Sequence, residues 1–365
     1  MRAGTIIVII FVLVAAAVVG VSQFLQNQPP AEFTVVVNPL AEDWLRDAVA
    51  RFNDSQPVVN ATQRIRFNVT VMDDIAIWQN TPNFTLENHP AAWLASSGAS
   101  VTYAERFDPL IPSLARTPLV WGGYTSRVDV ATDEGAMPFD WQAVQQVADA
   151  EAWSSAGGPR NWQFLKLAFP KADMNMSGLA VLFSGTATYA ENGDISGGAT
   201  RDGAFRNWMA PMIDAVPNFQ TLGTDPAAAM TRGPSTAEMA LLPESQWLNN
   251  LRGLIDEGGD SFIFSYPAYQ FELDFPLARW RSPASEIEPL AVQALADWLA
   301  QPEQQNRAVA HGLRPPTSEP DETASLFAAA APYGIVLEPA GSTPVQAPSR
   351  TEAAALLQWF TNTAR

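Results

Sequence analysis

The chain has no cysteine in its 365 residues. That excludes thiolate catalysis, cysteine-ligated zinc, iron–sulfur clusters, disulfide staples and a lipid-modified cysteine. Histidine is nearly as scarce, with only His89 and His311, and Lys166 and Lys171 are the only lysines. The other bases are arginine, which beside abundant Ala and Pro reads as a coding bias rather than chemistry. Bases as a whole are few: 21 against 38 acids, a net charge of −17. Such a surface repels phosphates, so nucleic acid and anionic headgroups are not expected partners. No G-x-S-x-G, phosphate-loop, H-E-x-x-H or calcium-loop pattern occurs, and no enzymatic activity, cofactor or metal is expected. Sequence does not exclude paired carboxylates for glycoside cleavage, because such partners lie far apart in a chain; Glu244 with Asp274 is the pair to test.

The apolar side is well supplied, at 47% of residues, and the length exceeds one typical core, so two folding units are expected. Thr5–Val21 is an unbroken run of 17 apolar or small residues behind Arg2. At about 1.5 Å per residue it is near the shortest length that crosses a bilayer. No base follows until Arg46, so the positive-inside rule puts the rest of the chain outside the membrane. Residues 1–22 read as a membrane anchor or a cleaved signal segment, the anchor being favoured, and residues 23–32 as a polar tether.

Phe33–Val37 (FTVVV) is β-branched and predicts a strand buried on both faces. Ala41 to Asn53 spaces Trp44, Leu45, Ala48, Val49 and Phe52 as one helix face. Ile65–Val71 and His89–Ala95 predict further strands, and this order points to an open α/β sheet. Beyond Thr117, strands are expected at Pro118–Trp121, Phe164–Phe169, Met239–Leu242 and Phe262–Ser265. Helices are expected at 139–153, 177–189, 201–213, 286–300, 302–310 and 351–363. Gly122-Gly123 reads as a hinge.

Small polar residues follow predicted strands at Asn38, at Ser96-Ser97-Gly98 and at Asn175-Met176-Ser177. In open α/β sheets ligands sit beyond the carboxyl ends of strands, where helix N-termini offer free amides. The plainer reading makes Ser96 and Ser177 helix caps. Asp73-Asp74 reads as a solvated strand end, His89 as a turn residue and His311 as part of a helix C-terminus. Trp44, Trp298 and Trp359 fall on amphipathic helices and read as core; Trp93 and Trp121 are the candidates for stacking on a sugar.

The segment from Phe262 to Pro316 resembles a known family. Tyr266-Pro267, Asp274-Phe275-Pro276, Pro302-Glu303-Gln304-Gln305 and Gly312-Leu313-Arg314-Pro315 occur in the order found in bacterial extracellular solute-binding proteins of the type II class. The branch sometimes fused to a von Willebrand factor A domain is the nearest likeness. Asn38-Pro39-Leu40 with Trp44-Leu45, His89–Ser97, Gly233–Leu248 and Tyr333–Trp359 resemble further parts of it. The resemblance implies an α/β, two-lobed type II periplasmic-binding-protein clamshell with two hinge crossovers, behind an N-terminal transmembrane helix. Lobe one would be 33–121 plus 239–365, and lobe two 122–238. Carried over by position, Asn38, Ser96, Ser97, Asn175, Ser177 and Glu244 would bind the ligand. The lipobox cysteine and the von Willebrand domain with its metal site are missing. Anchoring would then fall to the helix, and no adhesion metal is implied. The resemblance implies a monomer that captures a small polar or anionic ligand, outside the membrane, for an ABC-type permease. A surface interaction or sensing protein using the same clamshell is the alternative.

Overall fold

The structure, a computed structural model, describes residues 29–79, 83–256 and 260–364. The apolar run Thr5–Val21 lies outside them. Among the described residues no helix is long and apolar enough to cross a membrane.

The described strands are β1 (Ala31–Val37), β2 (Val58–Val59), β3 (Gln63–Val71), β4 (Ala92–Leu94), β5 (Phe107–Ile111), β6 (Thr117–Tyr124), β7 (Leu167–Ala168), β8 (Met239–Pro243), β9 (Phe262–Ser265), β10 (Tyr269–Gln270), β11 (Glu272–Leu273), β12 (Leu277–Trp280) and β13 (Thr343–Pro344). One sheet runs β2-β3-β1-β4-β12-β5. At its centre β1 pairs in parallel with β3 on one side and β4 on the other, so Val37 lies beside both Val71 and Leu94. Val35, Val36 and Val37 are buried, as strands covered on both faces require. The helix Glu42–Asp54 packs Trp44, Leu45, Ala48, Val49 and Phe52 inward. The Trp44 indole also donates to the Gln304 carbonyl (3.1 Å), tying this layer to the helix Pro302–Ala308.

The second sheet runs β11-β6-β8-β7, with β9 also on β6. Residues 239–365, expected in lobe one, divide between the sheets: β12 pairs in the first, and β8, β9 and β11 hydrogen-bond in the second. The cause is β6, a long buried strand that takes β8 along one edge and β9 and β11 along the other. Gly122 and Gly123 lie inside β6, and they serve packing. A Cβ on Gly122 would sit 2.7 Å from the Trp247 ring, and one on Gly123 would sit 2.9 Å from Val128. The last helix, Arg350–Thr363, opens on a capping box of Ser349 and Glu352. It packs on the second sheet's layer, with Phe360 against Phe169 and Phe219.

The helix Glu244–Asp256 follows β8 without a loop and was not foreseen. The expected strand Phe164–Phe169 shrinks to Leu167–Ala168.

Candidate functional site

The parallel register of β3, β1 and β4 brings the residues after their carboxyl ends side by side. Asn38 follows β1, Asp73 and Asp74 follow β3, and Ser96 follows β4. The Asp74 carboxylate is fully buried. It accepts from the Ser96 amide (2.9 Å), the Ser96 hydroxyl (2.8 Å) and Asn38 Nδ2 (3.0 Å). Asp73 caps the helix Asp74–Trp78, its Oδ1 accepting from the Ile75 amide at 2.9 Å. The expected solvated strand end is therefore wrong: at the carboxyl end of β3 the chain buries Asp74 completely and Asp73 in part. Burial raises both carboxyls above the ordinary range, and for Asp73 the charge of Asp74 adds to it. Hydrogen bonds from Asn38, Ser96 and nearby amides offset part of that rise.

The facing wall comes from the second layer. Asn175 caps the helix Met176–Ala190 by accepting from the Ser177 amide (2.8 Å). The Met176 amide donates across the cleft to Asp73 Oδ1 at 3.0 Å. Gly178 permits this placement, because a Cβ there would lie 2.1 Å from the Pro170 carbonyl oxygen. Ser97 caps the short helix Gly98–Tyr103 through the Ala99 amide (3.2 Å). The Gly98 amide is taken by Asp274 Oδ1 (2.8 Å), and burial pushes the Asp274 carboxyl up to about 6. Thus the amides of Ile75, Ser96, Gly98 and Met176 each already hold a carboxylate of this chain. Asn38 and Ser96 share one network, Asn175 and Ser177 join it through Met176, and Ser97 stands next to it.

Glu244 belongs to a different cluster. Arg314 is completely buried and grips it with two bonds, Nε to Oε2 (2.6 Å) and Nη2 to Oε1 (2.8 Å). Tyr266 donates its hydroxyl to the same carboxylate, and burial holds that phenol far above its ordinary value. Arg314 also donates to the Val336 carbonyl (2.6 Å) and pairs with Glu319 (2.7 Å). With both oxygens held this way, Glu244 is no free base for a glycosidase pair with Asp274.

No protein-family model matches the chain, and no curated protein matches it. Solved structures do. The periplasmic binding protein AfuA from Actinobacillus pleuropneumoniae, with fructose-6-phosphate bound, superposes with a TM-score of 0.62 at 7% identity over 92% of this chain and 99% of that one. Iron-bound HitA from Pseudomonas aeruginosa gives 0.60 at 12% identity, over 92% and 100%. The sulfate-binding protein SubI from Mycobacterium tuberculosis gives 0.54 at 12%, over 89% and 96%. The fold is that of a two-lobed periplasmic binding protein.

In this two-lobed fold a cleft of about 360 Å³ reaches Asn175, the N-cap that precedes Met176. Pro39 and Leu40 line it from the first sheet's layer, Asn175, Thr224 and Asp225 from the second, and Ser245 and Gln246 from the head of the Glu244 helix. The stacking role expected for Trp93 and Trp121 fails, because both indoles are fully buried. Trp93 packs on Phe107, and Trp121 packs on Trp141 and donates to Asp140 (3.2 Å). Nor is His89 a mere turn residue: its Nε2 meets Glu288 at 2.9 Å and its ring stacks on Trp280. His311 does end a helical turn, with Gly312 at φ +78° behind it. Among the described residues no group of three His, Asp or Glu could hold a metal ion. Ser245 and Gln246 carry no local sequence signal, because only the helix that follows β8 brings them to the cleft, whereas the two adjacent acids after β3 are visible in the sequence.

Proposed function

We propose that the chain is an extracytoplasmic solute-binding protein that captures a small polar solute between its lobes for an ABC-type importer. One observation carries this reading: the residues that follow β1, whose end lies between those of β3 and β4, and the N-cap of a 15-residue helix line one cleft. Neighbours of the same fold support it: SubI is a sulfate-binding protein, HitA is iron-bound and AfuA has fructose-6-phosphate bound. The apolar run Thr5–Val21 behind Arg2 supports a single-pass anchor with the binding unit outside. Membership of the von Willebrand-associated branch rests on the ordered motifs alone.

Within this reading Asn38, Ser96, Ser97, Asn175 and Ser177 form the rim that meets solute, and Glu244 fixes the helix that presents Ser245 and Gln246. The sheets pass into one another between Ile111 and Thr117 and between Leu273 and Leu277. We place the hinge there, with closure drawing the lobes together. A thermal-shift screen of the full chain against sugars, amino acids, amines and oxyanions tests the function. A true ligand raises the midpoint by mass action, and Ser177→Trp removes that rise. If no class raises the midpoint, solute capture is wrong.

A further inference from the structure

We propose that Asp73 and the head of the last helix form a latch that draws the two lobes together and needs no solute to do so. Every group in the latch belongs to the chain, so the inference rests on the two-lobed fold and holds whatever solute the cleft takes.

The first half of the latch is one oxygen shared between lobes. Asp73 follows β3 in the first sheet, and the helix Met176–Ala190 packs on β8 in the second. Asp73 Oδ1 accepts from the Ile75 amide (2.9 Å) in its own lobe and from the Met176 amide (3.0 Å) in the other. Asn38 Nδ2 meets Oδ2 at 3.4 Å. Met176 is the first residue of its helix, where the amide has no partner within the helix and the dipole favours an anion. Parting the lobes here breaks a charge-assisted bond.

The second half grips the same part of the first lobe. Trp78 ends the short helix that Asp73 caps, and its ring packs edge-on against Tyr103 with centroids 5.0 Å apart. Arg350 donates to the Trp78 carbonyl (3.1 Å) and to Glu105 Oε1 (2.8 Å), and the Tyr103 hydroxyl donates to the Pro348 carbonyl. Arg350 opens the helix Arg350–Thr363, whose body lies on the other lobe. There Glu352 holds the Gly198 amide (2.9 Å), Trp359 packs on Phe205, and Phe360 packs on Phe169 and Phe219. The last helix is therefore a strap from the second lobe to the block that carries Asp73.

The two halves are unequal. The Glu105 side chain is 81% exposed, so its ion pair with Arg350 contributes little. The Asp73 bond ends on Met176, which is fully buried, and it supplies most of the hold. Solute entry waits on release of the latch, and the unlatched fraction scales the apparent affinity.

The lack of cysteine lets spin labels be placed at two chosen positions on the full chain. Asp54→Cys in the first lobe and Gln146→Cys on the helix Trp141–Asp149 of the second are exposed sites. Double electron–electron resonance, with no solute added, then reads the distance between lobes. The labelled parent should give one short distance. Asp73→Ser keeps the cap on Ile75 but is too short for Met176, and it should shift the closed-to-open ratio roughly tenfold, seen as a second, longer distance. Met176→Pro removes the donor from the other side. Proline suits the first helical position, and Asn175 before it already has the extended backbone that proline requires (φ −143°, ψ 127°). It should lengthen the distance as Asp73→Ser does, whereas Asp73→Asn, which keeps an oxygen for both amides, should not. Arg350→Met should open the lobes less than either. If neither Asp73→Ser nor Met176→Pro lengthens the distance, the latch is wrong; a parent protein already at the long distance overturns it too.

Discussion

Asp73 places its carboxylate on the amide of Met176, 103 residues further along the chain and on the opposite lobe, at 3.0 Å. A helix N-terminus is the natural seat for an anion in such a cleft. Here the protein fills that seat with its own side chain. The contact therefore joins the lobes and, at the same time, sets the electrostatics of the site between them.

The first consequence is a pH dependence of stability. Asp73, Asp74 and Asp274 are raised by burial, so the folded chain keeps protons that the unfolded chain has released near pH 4. Their contribution is complete below that pH and is lost as pH climbs through about 6, where Asp274 ionises, and through about 8 for Asp73, with Asp74 acting in the same sense. Each unit of upward shift removes about 1.4 kcal/mol once the pH exceeds the folded value. Asp47 and Glu352 are held low, by Arg51 and by the Ser349 hydroxyl, and act in the opposite sense only in strong acid. Urea unfolding should therefore give greater stability at pH 5 than at pH 8.

Asp73→Asn should flatten that profile. The amide oxygen still accepts from Met176, while the charge that repels Asp74 is gone. At pH 8 the variant should match or exceed the wild-type midpoint; at pH 5 the difference should shrink. A midpoint several degrees below wild type at pH 8 would show that the charge itself holds the lobes.

The Glu244–Arg314 pair supports a second prediction. Both side chains are fully buried, and each is the other's main partner. Glu244→Ala leaves a guanidinium uncompensated and should cost about 3–5 kcal/mol in chemical denaturation. Replacing both residues with methionine should recover most of that loss, since a buried pair exchanged for apolar packing is often near neutral.

Gly178→Ala sets two effects against each other. On an exposed helix alanine would gain up to about 1 kcal/mol over glycine. Here its Cβ would lie 2.1 Å from the Pro170 carbonyl oxygen and 2.8 Å from the Ala172 backbone. The clash wins, and the midpoint should fall by an amount equivalent to about 1–3 kcal/mol. The displaced helix should also lose the Asp73–Met176 bond, seen as faster exchange of the Met176 amide.

The sequence made the central strands legible, because FTVVV and IRFNVTV carry the β-branched and alternating patterns that pleated neighbours impose. Asn38 and Ser96 were legible too, as polar residues after such strands. Asp73-Asp74 misled because a pair of acids at a strand end is ordinarily solvated. Its burial depends on a parallel register between segments some 35 residues apart, which no local pattern encodes. The helix Glu244–Asp256 had a readable signal in Trp247, Leu248, Leu251 and Leu254, but it starts directly at Pro243 with no loop to announce it. Tyr266, Glu244 and Arg314 each stood inside a recognisable motif. That the three motifs meet in one buried cluster becomes visible only when the chain is folded.

Hydrogen–deuterium exchange of the full chain, with and without the solute that gives the largest thermal shift, tests the two-lobed capture most directly. Protection should rise together in residues 38–44, 73–79, 175–180, 224–230 and 244–250, which come from both walls of the cleft. Protection confined to one wall, or lying elsewhere, would contradict it.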